Sequence, residues 1–437
     1  MLNEDLVKQI SKEKNEANWM FEKRLQSLEI YNKQNIPNWG PDLKDLDFEN
    51  LNYYSSPNVL EKNKWEDLPE YLKDTFQALG IKDAEKKYFG GIGAQYDSGV
   101  VYHSIKESLK SQGVIFENMD TALKNHEDLV KKYFMSDCVK NDEHKFVSLH
   151  GAVWSGGTFI YVPKNVKVSM PLQAYFRMNK ENGGQFEHTL IIADEGSSVE
   201  YIEGCSAPNY TSSSLHAGCV EIYVMKNAHV KYISIENWSN NTYNLNTKKA
   251  LVYESGTIEW MSGNFGSKVT MLYPTSILIG DNSKSLAYGV AIAGANQIKD
   301  IGNKVIHLGK NTNSIINSKS ISKDGGNATY RGFVQVGSEA ENTFSTVKCD
   351  GIILDKISSN ITIPVNKISR GDAKITHEAK VGKLSDKEIF YFMSRGYNEE
   401  EAKRAIVGGF MGNIIKKLPL EYAVEFNKLI DLEMKNI

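Results

Sequence analysis

At 437 residues the chain exceeds what one simple core organises, which implies two or three domains or a repeat array. Apolar residues at 41%, charged residues at 24% and a net charge of −3 with both signs interspersed describe an ordinary globular chain. No basic face for nucleic acid, no polybasic amphipathic stretch for a membrane surface and no apolar run long enough for a bilayer span is present.

The first twenty residues, MLNEDLVKQISKEKNEANWM, are charged throughout and lack the apolar core of a secretory signal. Residues 1–145 read as a helical region. EANWMFEKRLQSLEIYNKQ places Trp19, Phe21, Leu25, Leu28 and Tyr31 at helical spacing, and Pro37 and Pro41 bracket a turn after it. DLPEYLKDTFQALGI, SGVVYHSIKESLKSQG and MDTALKNHEDLVKKYF continue the helical reading. The glycine stretch FGGIGAQYDSG (89–99) lacks the third glycine of a dinucleotide fingerprint and follows helical sequence, so it is not read as a nucleotide site.

Between residues 146 and 382 the letters change to β-branched residues alternating with polar ones, broken by Gly/Asn/Ser turns. The apolar residues that follow each polar corner are Val168, Val199, Val230, Ile258, Leu286, Ile315, Phe344 and Ile375, spaced 28 to 31 residues apart. A steady period of this size in β-type sequence predicts a mainly β fold, a β-solenoid whose coils stack on one another. The alternative is a large antiparallel sandwich with coincident turn spacing. Residues 383–437 return to helix. Ser385 and Glu388 form an S-x-x-E capping box, Gly396 ends that helix, Asn398 caps the next, and Pro419 precedes the last. Closing the solenoid's ends is the plain structural role of both helical regions, and docking is the functional one.

Cysteine is scarce: Cys138, Cys205, Cys219 and Cys349, with no CxxC pair, read as free thiols in a reducing cytoplasm. In that setting Asn-x-Ser/Thr triplets such as Asn209–Thr211 carry no glycosylation meaning. Cys205 is unusual, sitting in EGCSAP between glycine and proline. Counting alternate faces from the corners puts Cys205 on the inward side of Val199. The same count puts Cys349 outward, with Glu378 of the next coil on its face and His377 on the other. Coils about 4.8 Å apart then bring the Cys349 and Glu378 Cα atoms to about 8 Å. Thiolate, carboxylate and imidazole suit iron or zinc. The plainer reading of a cysteine in a β-core is a small buried hydrophobe, and Cys138 and Cys219 receive only that reading. Cys–His nucleophilic catalysis would need a base beside the thiol, and the sequence places none there. No clustered acid pair suggests glycoside chemistry, and no GxxxxGK[ST] supplies a P-loop.

The chain resembles the SufB/SufD family of the SUF iron–sulfur cluster assembly system over nearly its whole length. The resemblance runs through PNWGPDL, GAQYDSGVVYH, VWSGGTFIYVP, PLQAYFR and GQFEHTLIIADEGSSVEYIEGCSAP. It continues in IENWSNN, GSKVTMLYP, SKSISK, YRGFVQV, CDGIILD, HEAKVGKLS, FYFMSRG and LPLEYAVE. Within that family EGCSAP and the CDG/HEA pair fit the SufB scaffold branch, with a SufD-like partner or a standalone sulfur carrier as the alternatives. The resemblance implies a right-handed parallel β-helix between helical domains and a non-enzymatic scaffold. It also implies that Cys205 accepts persulfide sulfur, and that Cys349, with Glu378 and His377, holds a nascent cluster. Arg177, Asn179, Trp238 and Lys248 would line the internal sulfur path. Implied partners are the SufC ATPase docked on residues 385–435, SufD or a second SufB, and a cysteine desulfurase system; a flavin is left open. Glu236 stands where glutamine is common, His188 where arginine is frequent, and IPVN (363–366) replaces a more aromatic pattern.

Overall fold

One corner of each repeat carries a residue in the left-handed backbone region: Asn165, Gly196, Asn227, Ser255, Asn282, Asn311 and Asn342. Glycine and asparagine tolerate that conformation best, and it turns the chain tightly enough to start a new coil. The corners are also tied together. The backbone N–H of Asn165 donates to Glu195, Gly196 to Lys226, Asn227 to Glu254, Ser255 to Asp281, Asn282 to Lys310 and Asn311 to Glu341, at 2.7–2.9 Å. In this computed structural model, which describes residues 2–56, 61–78, 88–208, 212–418 and 420–434, the result is a β-solenoid of about eight turns. Pro419 and the Asn209–Thr211 triplet lie outside the described residues.

The first sheet stacks the parallel strands Leu172–Arg177, Ser198–Ser206, His229–Trp238, Thr257–Gly266, Lys284–Ala293, Asn313–Ser322, Phe344–Ile353 and Lys374–Lys383. The second runs opposite, from Gly157–Val162 through His188–Ala193 and Cys219–Val224 to Asn327–Val336 and Ser359–Ile368. Inward residues such as Val199, Val230, Ile222, Ala250, Val305 and Val347 form the core between the sheets.

Register corrects part of the sequence reading. Val199, Val230, Ile258 and Ile375 are aligned across the ladder, but their partners in the intervening coils are Ser285, Ser314 and Ser345. Leu286, Ile315 and Phe344 are one residue off and face outward, Ile315 at 36% and Phe344 at 39% exposed. The inward serines satisfy one another, Ser314 to Ser345 at 2.7 Å and Ser285 with Ser276 at 2.8 Å. An interior position filled by hydrogen-bonded serine was invisible to a search for apolar letters.

The N-terminal region is less helical than its sequence suggests. The helices Glu4–Lys14 and Asn18–Lys33 form as expected, but FGGIGAQYDSGVVYHSI folds into the antiparallel hairpin Gly91–Tyr96 and Gly99–Ile105. That hairpin adds to the first coil, and Leu109, Val114 and Phe116 plug the interior at this end. Arg24 docks the second helix: its guanidinium takes both oxygens of buried Glu16 and donates to the carbonyls of Ala152 and Trp154.

At the other end Ser385 makes no side-chain cap, whereas Asn398 and Glu401 form a complete capping box. The C-terminal helices do not close the solenoid. Val407, Met411, Ile414, Phe426 and Ile430 pack on the outer face of the first sheet against Ile202, Ile233, Met261 and Val290. The last coil stays open, with Ile357, Ile361, Val365, Ile368 and Val381 exposed.

Ser255 is the one serine among these corners, where an L residue without an amide side chain is strained by about 1–2 kcal/mol. Ser255→Asn is therefore expected to raise the unfolding free energy by about 1 kcal/mol in denaturant titration, and an unchanged midpoint would contradict the corner argument.

Candidate functional site

Cys205 faces inward, as its parity requires, and is 1% exposed. Glu203, two residues earlier on the same strand, shares that face, with Oε1 4.0 Å from the Cys205 sulfur. From there a closed polar ring crosses the interior. Lys248 Nζ lies 3.6 Å from Glu203 and donates to Glu236 Oε1 at 2.7 Å. Asn244 Nδ2 donates to Glu236, and Asn244 Oδ1 meets His216 Nδ1 at 2.9 Å. His216 Nε2 binds Glu187, and Glu187, His216 and Cys205 offer donor atoms all within 4.8 Å of one another. Trp238 stacks 4.3 Å from the His216 ring, and Lys248 sits over Tyr232.

Charges buried this completely survive only when paired. Burial is the largest influence on both Glu236 and Lys248 and opposes their ionisation, yet Lys248, His216 and Asn244 together hold the Glu236 carboxyl below its usual value, and Glu236 and Glu203 with their neighbours hold the Lys248 ammonium above its own. Burial would also pull His216 down, but Glu187, Glu236 and Asn244 hold it above its usual pKa. Glu203 is pushed up by burial, against the pull of Lys248. Burial, then Glu203, Glu236 and Glu187, push the Cys205 thiol well above the ordinary range, so in this closed state it is a neutral thiol. The charge introduced by Glu236 is thus cancelled by Lys248.

Of the residues implied as an internal path, Trp238 and Lys248 belong to this ring. Arg177 does not. It follows inward Phe176, faces outward, and donates to Ser206 Oγ at 2.8 Å. Asn179 lies beyond the strand end, its backbone N–H on Asp97. Glu203, Glu187, His216 and Asn244 were missed by the sequence reading. Glu203 was recoverable from the E-G-C spacing alone, whereas His216 and Asn244 end three-residue strands and Glu187 lies just before the strand His188–Ala193, where no periodicity marks them.

The second site also departs from expectation. Cys349 is inward and 2% exposed, in the same core as Cys205. Because the corner in its coil is Ser345 and not Phe344, its parity flips. Cys349 is registered to Ala379, and its sulfur lies 4.0 Å from His377 Nε2. Glu378 points out, its side chain 66% exposed and 3.8 Å from Lys348. The pair brought together is Cys349 with His377, and Glu378 is on the opposite face. A side chain at Gly332 would collide with His377, so the glycine makes room for the ring. Burial pushes the Cys349 thiol up to about 12 and lowers His377.

From Glu203, two residues before Cys205, the ladder runs in register to the second thiol: Glu203, Ser234, Ser262, Gly289, Ser318, Cys349; Cys205 itself is registered to Glu236. Five steps at about 4.8 Å separate the coils by about 24 Å, and every residue between the ends is serine or glycine.

Residues 176–410 match the SUF system FeS cluster assembly SufBD core domain, and residues 96–174 match the SufBD protein N-terminal region. The chain belongs to the SufBD family. It is 52% identical over 434 residues to the iron-sulfur cluster assembly SufBD family protein of Staphylococcus aureus strain MRSA252, covering 99% of this chain and 93% of that one. The namesake in Staphylococcus saprophyticus is 52% identical with the same coverage. The role of this SufBD protein therefore lies in iron–sulfur cluster assembly, and among its described residues no helix is long and apolar enough to cross a membrane.

Removing Lys248 leaves two carboxyls buried without their cation. Lys248→Met is expected to cost about 3–5 kcal/mol, and adding Glu236→Gln should recover much of that loss. The Glu236 pKa is depressed on folding and that of Lys248 is raised. The contribution of the pair is therefore full between about pH 4.5 and 10.5 and fades as acid protonates Glu236 or base deprotonates Lys248. Denaturant unfolding of wild type and variant across pH checks both statements; a stability gap independent of pH below 4.5 would contradict them.

Proposed function

We propose that this SufBD protein is the SufB-type scaffold of a cytoplasmic SUF system: not an enzyme itself, but the body on which a nascent iron–sulfur cluster is built. The observation that carries this reading is the pair of buried thiols in one interior, joined by a row of serine and glycine. Cys205 accepts sulfur. Its thiolate attacks the outer sulfur of a donor persulfide from a cysteine desulfurase system, forming the Cys205 persulfide and releasing the donor thiolate, which takes up the thiol proton. Glu203 and Glu187 are the nearby carboxyls that relay this proton. A small-molecule thiolate entering the row then attacks the outer sulfur and releases the Cys205 thiolate, and the Cys349 thiolate takes that sulfur from the carrier persulfide and frees the carrier thiolate; His377 supplies a nitrogen beside Cys349 for the iron and sulfide cargo. Glu378, on the outer surface, acts from the partner-facing side and not beside Cys349.

Both thiols are neutral and enclosed here, so this geometry is a resting state that must open before cargo is bound. The absence of a P-loop from the sequence fits an external ATPase, SufC, as the source of that rearrangement. The helix Asp386–Met393 offers it a surface, with Phe390 72%, Tyr391 53% and Met393 44% exposed. The open last coil, one ladder step beyond Cys349, receives SufD or a second copy.

Anaerobic reconstitution with SufC tests the site. Wild type is expected to form a labile cluster, seen by absorbance and acid-labile sulfide, that Cys349→Ser loses; an equally good cluster on that variant would move the ligands elsewhere. Gly289→Leu tests the route, because the glycine faces only Ser262 and Ser318 across the ladder. Persulfide loaded at Cys205 should then fail to appear at Cys349 by mass spectrometry, while Cys205 still loads. Unchanged transfer to Cys349 would overturn the interior path. Separately, Phe390→Ala with Tyr391→Ala should abolish SufC binding in pull-down with the circular dichroism of the solenoid intact, and undiminished binding would remove the helix from the docking surface.

A further inference from the structure

Outside the interior, a second chemistry-bearing cluster lies on the outer face of the second sheet, sealed beneath the N-terminal helices. His188 and Cys219 open adjacent strands and are registered directly across the ladder. Glu221, two residues after Cys219, shares its face. His150 comes down onto them from the buried helix Lys145–Val153. All four are at most 1% exposed. The donor atoms of His150, His188 and Cys219 lie within 4.8 Å of one another.

The tautomers follow from the neighbours. His150 Nδ1 is 3.0 Å from the Ala217 carbonyl, which can only accept, so Nδ1 carries the hydrogen and Nε2 carries the lone pair. That lone pair meets His188 Nδ1 at 3.0 Å. On the far side of the same ring, His188 Nε2 has Glu221 Oε2 at 3.1 Å, too poorly aligned for a hydrogen bond, and so remains a fully buried ring nitrogen without one. The backbone N–H groups of Met135 and Val139 fix the Glu221 carboxylate, at 2.6 and 3.0 Å.

We propose that His150 Nε2, His188 Nδ1 and Cys219 Sγ form a separate metal site that takes a tetrahedral divalent ion of the zinc or ferrous class, leaving one position open. Two imidazoles and one thiolate are a borderline-to-soft donor set of the kind such ions prefer. His150 has an outer partner on its other nitrogen, the Ala217 carbonyl, and a metal on His188 Nδ1 would shift that ring's proton to Nε2, where Glu221 Oε2 lies 3.1 Å away, the arrangement that orients imidazole ligands in metal sites. Charge also closes. A dication that draws the Cys219 thiol and the Glu221 carboxyl into their anionic forms leaves the cluster neutral, as a pocket walled by Phe134 and Trp154 favours. Binding displaces the Cys219 thiol proton and the Glu221 carboxyl proton to solvent and involves no change of oxidation state. Enclosure means the ion enters during folding and ties the N-terminal helices to the solenoid wall, on the face opposite the Cys205 ring.

The test uses the full chain carrying Cys205→Ala and Cys349→Ala, so that the interior thiols contribute nothing, expressed in zinc-poor medium supplemented with cobalt. The expected result is one cobalt per chain by elemental analysis, with the visible bands of tetrahedral Co(II) and a near-ultraviolet thiolate-to-cobalt band. Cys219→Ser should remove the thiolate band, and His188→Gln should remove the retained cobalt. Folded background protein without stoichiometric cobalt overturns the site, whatever the variants do. A thiolate band that persists in Cys219→Ser equally overturns the assignment of that ligand.

Discussion

Everything in this molecule hangs on the coil-to-coil bond at the left-handed corner. Each corner N–H reaches the carbonyl just before the next corner, so coils of 27 to 31 residues all close on the same bond and the strands that follow start in step. Once the start is fixed, a period of two decides which side chains enter the interior, over every later residue of the strand. Cys205 and Cys349 share one interior because five successive ladders keep that phase.

The same logic explains what was legible in the letters. The solenoid announced itself through polar corners at a steady interval, and Cys205 was placed correctly because its coil begins with a true inward valine. Cys349 was misplaced because Phe344 is a large apolar residue sitting one position before the real inward residue, Ser345. Hydrophobicity marks burial only where the interior is oily, and here the middle coils are lined by serine, alanine and glycine. The hairpin at 91–105 was lost for a related reason: its glycine-rich first strand has few side chains to show alternation, and SGVVYHSI merges into the short helix after it. His216 and Glu187 came to the Cys205 ring from two separate segments whose contacts with it are purely tertiary, and no local pattern encodes them.

A solenoid interior is normally where ionisable groups are least welcome, yet this one holds Glu187, Glu203, Glu236, His216 and Lys248 around a single thiol. The pairing makes these charges tolerable, and it makes them interdependent. No member of the ring can change its proton without shifting the balance felt by its neighbours, so sulfur arriving at Cys205 as an anionic persulfide would be registered by the whole ring. Glu203, already pushed toward its neutral form by burial, is the member best able to yield. Stability and reactivity in this region therefore share the same side chains.

The two ends of the stack are unlike. The hairpin and the plug of Leu109, Val114 and Phe116 finish the first end, while the last coil presents unpaired backbone and a row of exposed isoleucine and valine. A parallel stack open at both ends could add copies without limit and grow into a fibre. With the hairpin and plug over one end, two chains meeting through their open coils would form a closed pair and not a growing stack. The N-terminal plug, beside a hairpin two ladder steps from the Cys205 strand, would thus be what keeps such an assembly finite.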